Sequence, residues 1–316
     1  MSTVLREAAP RFDAEVPVVI IGAGAAGLCA ALAAREAGAE VLLLERDAVP
    51  RGSTALSAGL IPAAGTRFQR VRGIADDVEL FAADIQAKAK GVALPELVRL
   101  VASAAAPTVE WLADAHGLDF SVVDDFDYPG HARRRMHGLP SRSGAELLDR
   151  LRSAAERAEV TLLTDAHVDA LIADADGTPR GVQVTRPDGS RERIGAGAIV
   201  LACSGYGGDR ALVARHIPSL AGALYFGHPG NTGDAVKWGE ALGAELTQMS
   251  GHQGHGSVAH PAGVLVTWAV IAEGGFQVNS AGARFWNEAQ GYSEAAEAVL
   301  GQPGGIAFDV FDARIA

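Results

Sequence analysis

Apolar positions in this chain come in blocks. Residues 18–21 read Val-Val-Ile-Ile and residues 41–44 read Val-Leu-Leu-Leu, with a helix-forming stretch between them. Short uninterrupted apolar runs suit strands buried on both faces, as in a parallel sheet, so residues 17–45 read as strand, helix, strand. Apolar residues at helical spacing predict helices over 77–88, 95–116 and 144–158, with Gly117 as a stop after the second. Strand candidates follow at 160–163, 167–173, 181–185, 191–194 and 198–202, and Pro187-Asp188-Gly189 joins two of them as a hairpin. Further on, a helix is expected over 235–243 and a strand over 306–311. Residues 118–143 read as irregular, with Arg133-Arg134-Arg135 as a solvated loop. The alternation predicts an α/β fold.

The turn after the first strand carries the chemistry. It reads Gly22-Ala23-Gly24-Ala25-Ala26-Gly27. Gly22 allows the tight turn, Gly24 lets a pyrophosphate approach the backbone, and Gly27 lets helix and strand pack closely. The helix N-terminus faces the phosphate charge. Glu45 ends the second strand, where a carboxylate accepts hydrogen bonds from a ribose. Strand, glycines, helix, strand and acid in that order predict a dinucleotide site made by Gly22, Gly24, Ala25, Ala26, Gly27, Glu45 and Arg46.

Composition narrows the partners. A chain of 316 residues is long enough for two domains, and its formal charge of −11 argues against nucleic acid or an anionic membrane. The aliphatic runs are too short and interrupted for a membrane span. Residues 1–15 carry charges and Pro10 but no long apolar core, so they are not expected to be a secretory signal; residues 1–14 read as a flexible, disordered lead. Cys29 and Cys203 lack motif spacing and read as small buried fillers, which makes a reducing cytoplasm the simplest setting. The scattered histidines suggest no metal site.

Residues 51–59, Arg-Gly-Ser-Thr-Ala-Leu-Ser-Ala-Gly, are small and rich in hydroxyls. This loop resembles the flavoprotein subunit family of fumarate reductases and succinate dehydrogenases, which also includes 3-ketosteroid dehydrogenases. The resemblance implies FAD as cofactor, with Ser53, Thr54, Ser57, Ala58 and Gly59 along the diphosphate and flavin ring, and Gly59 also beside the substrate. Members with covalent flavin have a histidine where Ser53 stands, so the resemblance implies non-covalent FAD. It continues through His137-Gly138-Leu139-Pro140 and the strand leading into Ser204-Gly205-Tyr206-Gly207-Gly208, where Gly205 is expected under the cofactor. Thr232-Gly233-Asp234 resembles the next signature and implies an FAD contact for Asp234, which also suits a helix N-cap. Val168 matches a position whose backbone meets the adenine.

The resemblance places His255 and Thr267 on substrate-binding positions. Fumarate reductases need a glutamate and two arginines for proton delivery, and here those positions hold Trp268, Ile271 and Tyr292. Neither Trp nor Ile carries protons, and a phenol, with a reference pKa near ~10, offers no positive charge to a dicarboxylate. Ala283-Arg284-Phe285-Trp286-Asn287-Glu288 resembles a family signature in which Asn287 and Glu288 brace a domain interface. Four residues later stands Tyr292, about where 3-ketosteroid dehydrogenases have a tyrosine that takes part in removing hydrogen next to a carbonyl. Tyr292 is therefore the expected catalytic residue, and Trp268 would make the pocket apolar.

The expected architecture is a Rossmann-like FAD-binding domain over 15–208, an inserted α+β capping domain over 209–275, and a return to the first domain over 276–316. By resemblance, the family's C-terminal part would be lacking. The expected reaction exchanges a hydride between flavin N5 and a substrate carbon next to a carbonyl or carboxylate, with an electron partner of unassigned identity. Two rivals stand beside it: a fumarate-reductase-like dicarboxylate reductase, and an FAD-binding chain without catalysis.

Overall fold

The two apolar runs form the middle of a seven-stranded sheet in a computed structural model that describes residues 3–315. Ten strands precede residue 202: β1 (Thr3–Arg6), β2 (Ala14–Ile21), β3 (Val41–Leu44), β4 (Ile61–Pro62), β5 (Ser121–Val122), β6 (Met136–Gly138), β7 (Thr161–Leu163), β8 (His167–Ala173), β9 (Pro179–Thr185) and β10 (Arg191–Leu201). The large sheet runs in the order β1-β8-β9-β10-β2-β3-β7. Strands β10, β2, β3 and β7 are mutually parallel, with Ile20 in register with both Leu43 and Val200. Strands β8, β9 and β10 form an antiparallel meander, and the predicted turn is present, with Asp188 Oδ1 accepting the Ser190 N–H at 2.8 Å. The two strands expected at 191–194 and 198–202 are one, because Gly195 and Ala196 stay in register with Glu15 and Val16 between them.

The helices are α1 (Ala25–Glu36), α2 (Gly52–Ala55), α3 (Arg67–Val71), α4 (Val78–Lys88), α5 (Pro95–Asp114) and α6 (Gly144–Arg157). Leu28, Ala31 and Leu32 of α1 and Leu147, Leu148 and Leu151 of α6 pack on the face that carries Ile20 and Leu43. Val19, Ile21, Leu42 and Leu44 point the other way, toward Leu171, Val182, Val184 and Trp238. Both faces of β2 and β3 are thus covered, which is why their sequences are uniformly apolar rather than alternating. Among the described residues no helix is long and apolar enough to cross a membrane.

Two expectations need correction. Residues 1–14 are not simply a disordered lead: Thr3–Arg6 pairs in parallel with β8, Val4 opposite Leu171 and Leu5 opposite Ile172. A four-residue strand with two apolar side chains gave too short a pattern to read. Met1 and Ser2 lie outside the described residues. The second correction is Arg135, which is fully buried rather than solvated. Its Nε and Nη2 donate to Asp76 at 2.9 Å each and its Nη1 to Asp84 at 2.5 Å, with the guanidinium 4.7 Å over the Phe81 ring. Burial opposes its charge, but the bonds to Asp76 and Asp84 prevail and raise its pKa. Beside it, β5 and β6 lie inside the stretch 118–143 expected to be irregular, and they form a three-stranded sheet with β4.

Beyond β10 come α7 (Arg210–His216), α8 (Asp234–Ala241), the β11–β12 ribbon (Val258–Ala259 with Val264–Leu265), α9 (Ala269–Ala272), β13 (Phe276–Val278), α10 (Tyr292–Leu300) and β14 (Phe308–Val310), which pairs with β13.

Candidate cofactor and active site

The turn between β2 and α1 shows why its glycines differ in role. Gly22 has φ +102° and donates its N–H to Leu44 O at 2.8 Å, tying the turn to β3. A Cβ on Gly27 would lie 1.8 Å from Gly22 O, so only glycine lets α1 start this close to β2. Gly24 is different: a Cβ there would meet only Thr54 Oγ1, at 3.5 Å. The protein's own packing does not demand glycine at that position, whereas a diphosphate lying against the backbone would. No side chain caps α1 at Gly24, which leaves the positive end of the helix dipole free for an anion.

These residues open onto a cavity of about 340 Å³. Among the expected contacts, Gly22, Gly24, Ala25, Ala26, Glu45, Arg46, Ser53, Thr54, Val168 and Asp234 line it. Gly27 stands outside the lining, as do Ser57, Ala58, Gly59 and Gly205. Ser57 Oγ donates to Thr54 O at 2.7 Å and accepts from Gly59 N at 3.0 Å, so it shapes the loop. Gly59, at φ +64°, presses against the start of α6, where a Cβ would be 2.7 Å from Ser143 O. Ala58 is exposed, and Gly205 O accepts the Gly233 N–H at 3.1 Å. Asp234 is the first residue of α8 and not its N-cap, which is Gly233 at φ +78°.

The hydroxyls knit the loop to the rest of the site. Thr54 Oγ1 accepts from Ala25 N at 3.2 Å, and Ser53 Oγ accepts from Asn231 Nδ2 at 2.8 Å and from His228 N at 3.2 Å. His228, Asn231, Asp47 and Trp238 also line the cavity, and the sequence reading missed them. His228 Nδ1 accepts the Gly230 N–H at 3.1 Å and lies 3.4 Å from Arg46 Nη2, while its Nε2 lies 3.0 Å from Asp47 Oδ2. That network places the ring proton on Nε2. Arg46 Nη1 donates to Gly230 O at 3.1 Å, and a Cβ on Gly230 would be 1.2 Å from Arg46 Nη2. Trp238 had a readable signal: it stands four residues after Asp234 and so shares its helix face. The indole is 1 % exposed, and its Nε1–H has no partner.

The cavity's Cys203 thiol, like that of Cys29, is pushed by burial up to about 11, so both are protonated; both residues are half-buried rather than the fully buried fillers expected. Among the described residues no cluster of three potential ligands could hold a metal. A glycine left open to the cavity, and an N-cap with no side chain of its own, both fit a dinucleotide.

Of the expected substrate residues, His255 lies elsewhere, beside the expected catalytic Tyr292 at α10. Tyr292 opens that helix, and the His255 ring stacks on it with centroids 5.2 Å apart and planes 25° from parallel. Trp268 completes the cluster, 6.2 Å from His255 and 6.5 Å from Tyr292. Gln253 Nε2 donates to the Tyr292 phenol oxygen at 3.0 Å. Burial raises the Tyr292 pKa, outweighing that bond. Burial lowers the His255 pKa despite Asp309 nearby, so phenol and imidazole are both neutral at pH 7. Thr267 is exposed, and its Oγ1 accepts Ala269 N at 3.3 Å at the start of α9. Glu288, buried, accepts from Gln277 N at 2.9 Å and Arg284 Nη2 at 2.6 Å, and Asn287 Oδ1 accepts from Ala289 N at 3.1 Å.

Residues 17–312 match the model of the FAD binding domain family. A probable fumarate reductase of Shewanella frigidimarina is 32 % identical over 302 residues, which are 94 % of this chain and 50 % of that protein. The open conformation of a flavocytochrome c3 fumarate reductase superposes with a TM-score of 0.84 at 30 % identity, over 96 % of this chain and 54 % of that one. A 3-ketosteroid-Δ4-(5α)-dehydrogenase from Rhodococcus jostii, in complex with 4-androstene-3,17-dione, superposes with a TM-score of 0.81 at 25 % identity, over 98 % and 69 % of the two chains. The chain spans about half the length of the curated relatives it matches. With a match over most of its length, the chain belongs to the FAD-binding domain family, and FAD is its cofactor.

Proposed function

We propose that this chain belongs to an oxidoreductase that exchanges a hydride between FAD and a substrate carbon next to a carbonyl or carboxylate, in C–C desaturation or in enone or enoate reduction. Flavin, when bound, supplies the hydride acceptor or donor at N5. The chain's own residues do the rest. Tyr292 holds its proton and donates it, or a hydrogen bond, to a carbonyl oxygen. Neutral His255 and the hydroxyl of Thr267 hold the substrate's oxygen atoms, and Gly59 borders the substrate. Trp268 excludes water, which strengthens each of these contacts. The observation that carries the reading is the neutral phenol of Tyr292 between the His255 face, the Trp268 edge and the Gln253 amide. The positions matching the fumarate reductase relay carry Trp268 and Ile271, each 7 % exposed. Neither residue can pass a proton.

FAD is read as non-covalent, because Ser53 stands where covalently flavinylated relatives carry a histidine. The division into an FAD domain (15–208 and 276–316) and a capping domain (209–275) is supported by the end of the large sheet at Leu201 and the short elements that follow. The free thiols of Cys29 and Cys203 favour a reducing, cytoplasmic setting.

The test is a visible spectrum of the purified chain before and after denaturation, followed by turnover with steroid enones, simple enoates and fumarate. Flavin bands that are released as free FAD, with turnover of an enone, are the expected result. Turnover of fumarate alone favours the dicarboxylate reading. Flavin binding with no turnover of any acceptor means that this chain binds FAD without catalysing.

A further inference from the structure

The alternation of β14 is inverted. Its apolar residues Phe308 and Val310 are 53 % and 39 % exposed, while Asp309 between them turns inward. An antiparallel strand normally buries its apolar side and exposes its charges, and a carboxylate turned inward costs free energy unless hydrogen bonds offset the burial. Asp309 stands directly opposite Gln277 across the β13–β14 ribbon. Its Oδ1 accepts from Gln277 Nε2 at 2.8 Å, and its Oδ2 accepts the Ser257 hydroxyl at 2.8 Å. Gln277 and Ser257 are both buried.

These bonds clamp the segment that carries His255. Gln277 Nε2 also donates to Gly256 O at 3.0 Å, and Gly256 N donates to Tyr292 O at 3.0 Å. A Cβ would be 2.5 Å from Ala296 Cβ at Gly254 and 2.2 Å from Ala295 Cβ at Gly256, so two glycines let the chain around His255 lie against α10. Ser257 uses all of its polar groups. Its O accepts Val266 N at 2.9 Å, its Oγ donates to Asp309, and its N–H donates to His255 Nδ1 at 3.2 Å. A ring nitrogen that accepts carries no proton, so the proton of the neutral imidazole is on Nε2. That nitrogen has no partner among the described residues and is not sealed from solvent.

Resting on the reaction proposed above, we propose that Asp309 is a positioning residue for His255: through Ser257 it fixes the imidazole as the Nε2–H tautomer, a hydrogen-bond donor on the ring that stacks on Tyr292. Phenol and imidazole then both donate. Two neutral donors suit a substrate oxygen with two lone pairs, and both bonds strengthen as that oxygen gains charge in an enolate. Asp309 acts on the substrate only through His255.

The experiment follows the His255 ring nitrogens by proton–nitrogen NMR in the full chain with 15N-labelled histidine, and His255→Gln assigns them as the signals that disappear. Wild type is expected to show a single tautomer protonated at Nε2. Asp309→Ala is expected to show a mixture of tautomers, with kcat/KM on cyclohexenone, the flavin reduced by dithionite, lowered about tenfold. Asp309→Asn still offers an oxygen to Gln277 and a polar atom to Ser257, so it is expected to restore the single tautomer and most of the rate. The Asp309 charge raises the His255 pKa, so the imidazole of Asp309→Asn should protonate at a lower pH than that of wild type. An Asp309 that only held the fold together would move none of these nitrogen signals in a folded variant. If Asp309→Ala does not fold, Ser257→Ala removes the same hydroxyl bond and should give the same mixture. A wild-type ring protonated at Nδ1, or a tautomer unchanged in folded Asp309→Ala or Ser257→Ala, overturns the proposal. The expected tautomer changes without turnover of any enone or enoate would overturn the reaction proposed above and support the positioning.

Discussion

Glu45 accepts the backbone N–H of Ala23 at 2.9 Å through Oε2, and that of Asp47 at 3.0 Å through Oε1. The carboxylate expected to hold a ribose therefore also fastens the glycine turn to the end of β3. The two roles are compatible, because an ionised carboxylate offers about four lone-pair sites and these bonds use two. Replacing Glu45 with Ala leaves both amides without their acceptor. Hydrogen bonds to a charged group contribute about 1.5–3 kcal/mol each, partly recovered here by water. Glu45→Ala is expected to lower unfolding stability by about 2 kcal/mol in urea titrations and to weaken FAD binding at least about tenfold. Unchanged stability would show that the turn holds itself.

Arg135 and Arg133 stand two residues apart and predict opposite outcomes. Arg135→Met leaves Asp76, fully buried, and Asp84 beside it without their cation. Breaking such a buried pair costs about 3–5 kcal/mol. Arg133 is exposed and bonds only to the backbone oxygens of Ala75 and Ala132, so Arg133→Ala should stay within about 0.5 kcal/mol of wild type. Denaturation midpoints of the two variants decide this, and equal effects would contradict the network.

These arginines also mark where the sequence stopped being legible. Three consecutive arginines look alike in one dimension. Only the fold reveals that the third points inward, at carboxylates 59 and 51 residues away. The parallel core was readable because β2 and β3 are buried on both faces and therefore uniformly apolar. The glycine turn was readable because each glycine answers a steric demand within the same βαβ unit. His228 and Asn231 were not, since they enter the cavity from a segment more than 170 residues beyond the loop that they bond. Thr3–Arg6 was missed because edge pairing with β8 depends on a partner far along the chain.

Acid lability should follow from the buried His137. Its Nδ1–H donates to Arg135 O at 2.9 Å and its Nε2 accepts from Thr66 Oγ1 at 2.8 Å, which is a neutral ring. Burial lowers its pKa, although the backbone bonds pull the other way. The unfolded ring titrates near ~6.5. Its contribution to stability is therefore full above that pH, and declines as pH falls below it toward the lowered folded value. The slope is at most about 1.4 kcal/mol per pH unit for one proton. His131 and His255 are also held down by burial and add to the same trend. Denaturation at pH 7.5 and 5.5 should show wild type weakening and His137→Asn weakening less, even though the variant starts lower. An identical drop in both proteins would remove His137 from the account.

Tyr292→Phe separates carbonyl chemistry from dicarboxylate chemistry at a single atom. The ring remains, so its stacking on His255 and its contact with Trp268 are kept, and the hydrogen bond from Gln253 is lost. Flavin content and thermal midpoint should therefore stay close to wild type. If the phenol protonates or polarises a ketone oxygen, kcat on an enone falls about 10²–10⁴-fold, the range for removing a positioned acid or base. If the substrate is a dicarboxylate held by other groups, the rate changes by less than about threefold. The pH profile gives a second reading. Burial raises the phenol pKa above its ordinary value, so an enone rate that needs the O–H should hold its plateau past pH ~10 and fall only above it. A wild-type rate that instead rises through that range would mean that Tyr292 acts as the base, and the direction of hydride transfer would then be desaturation.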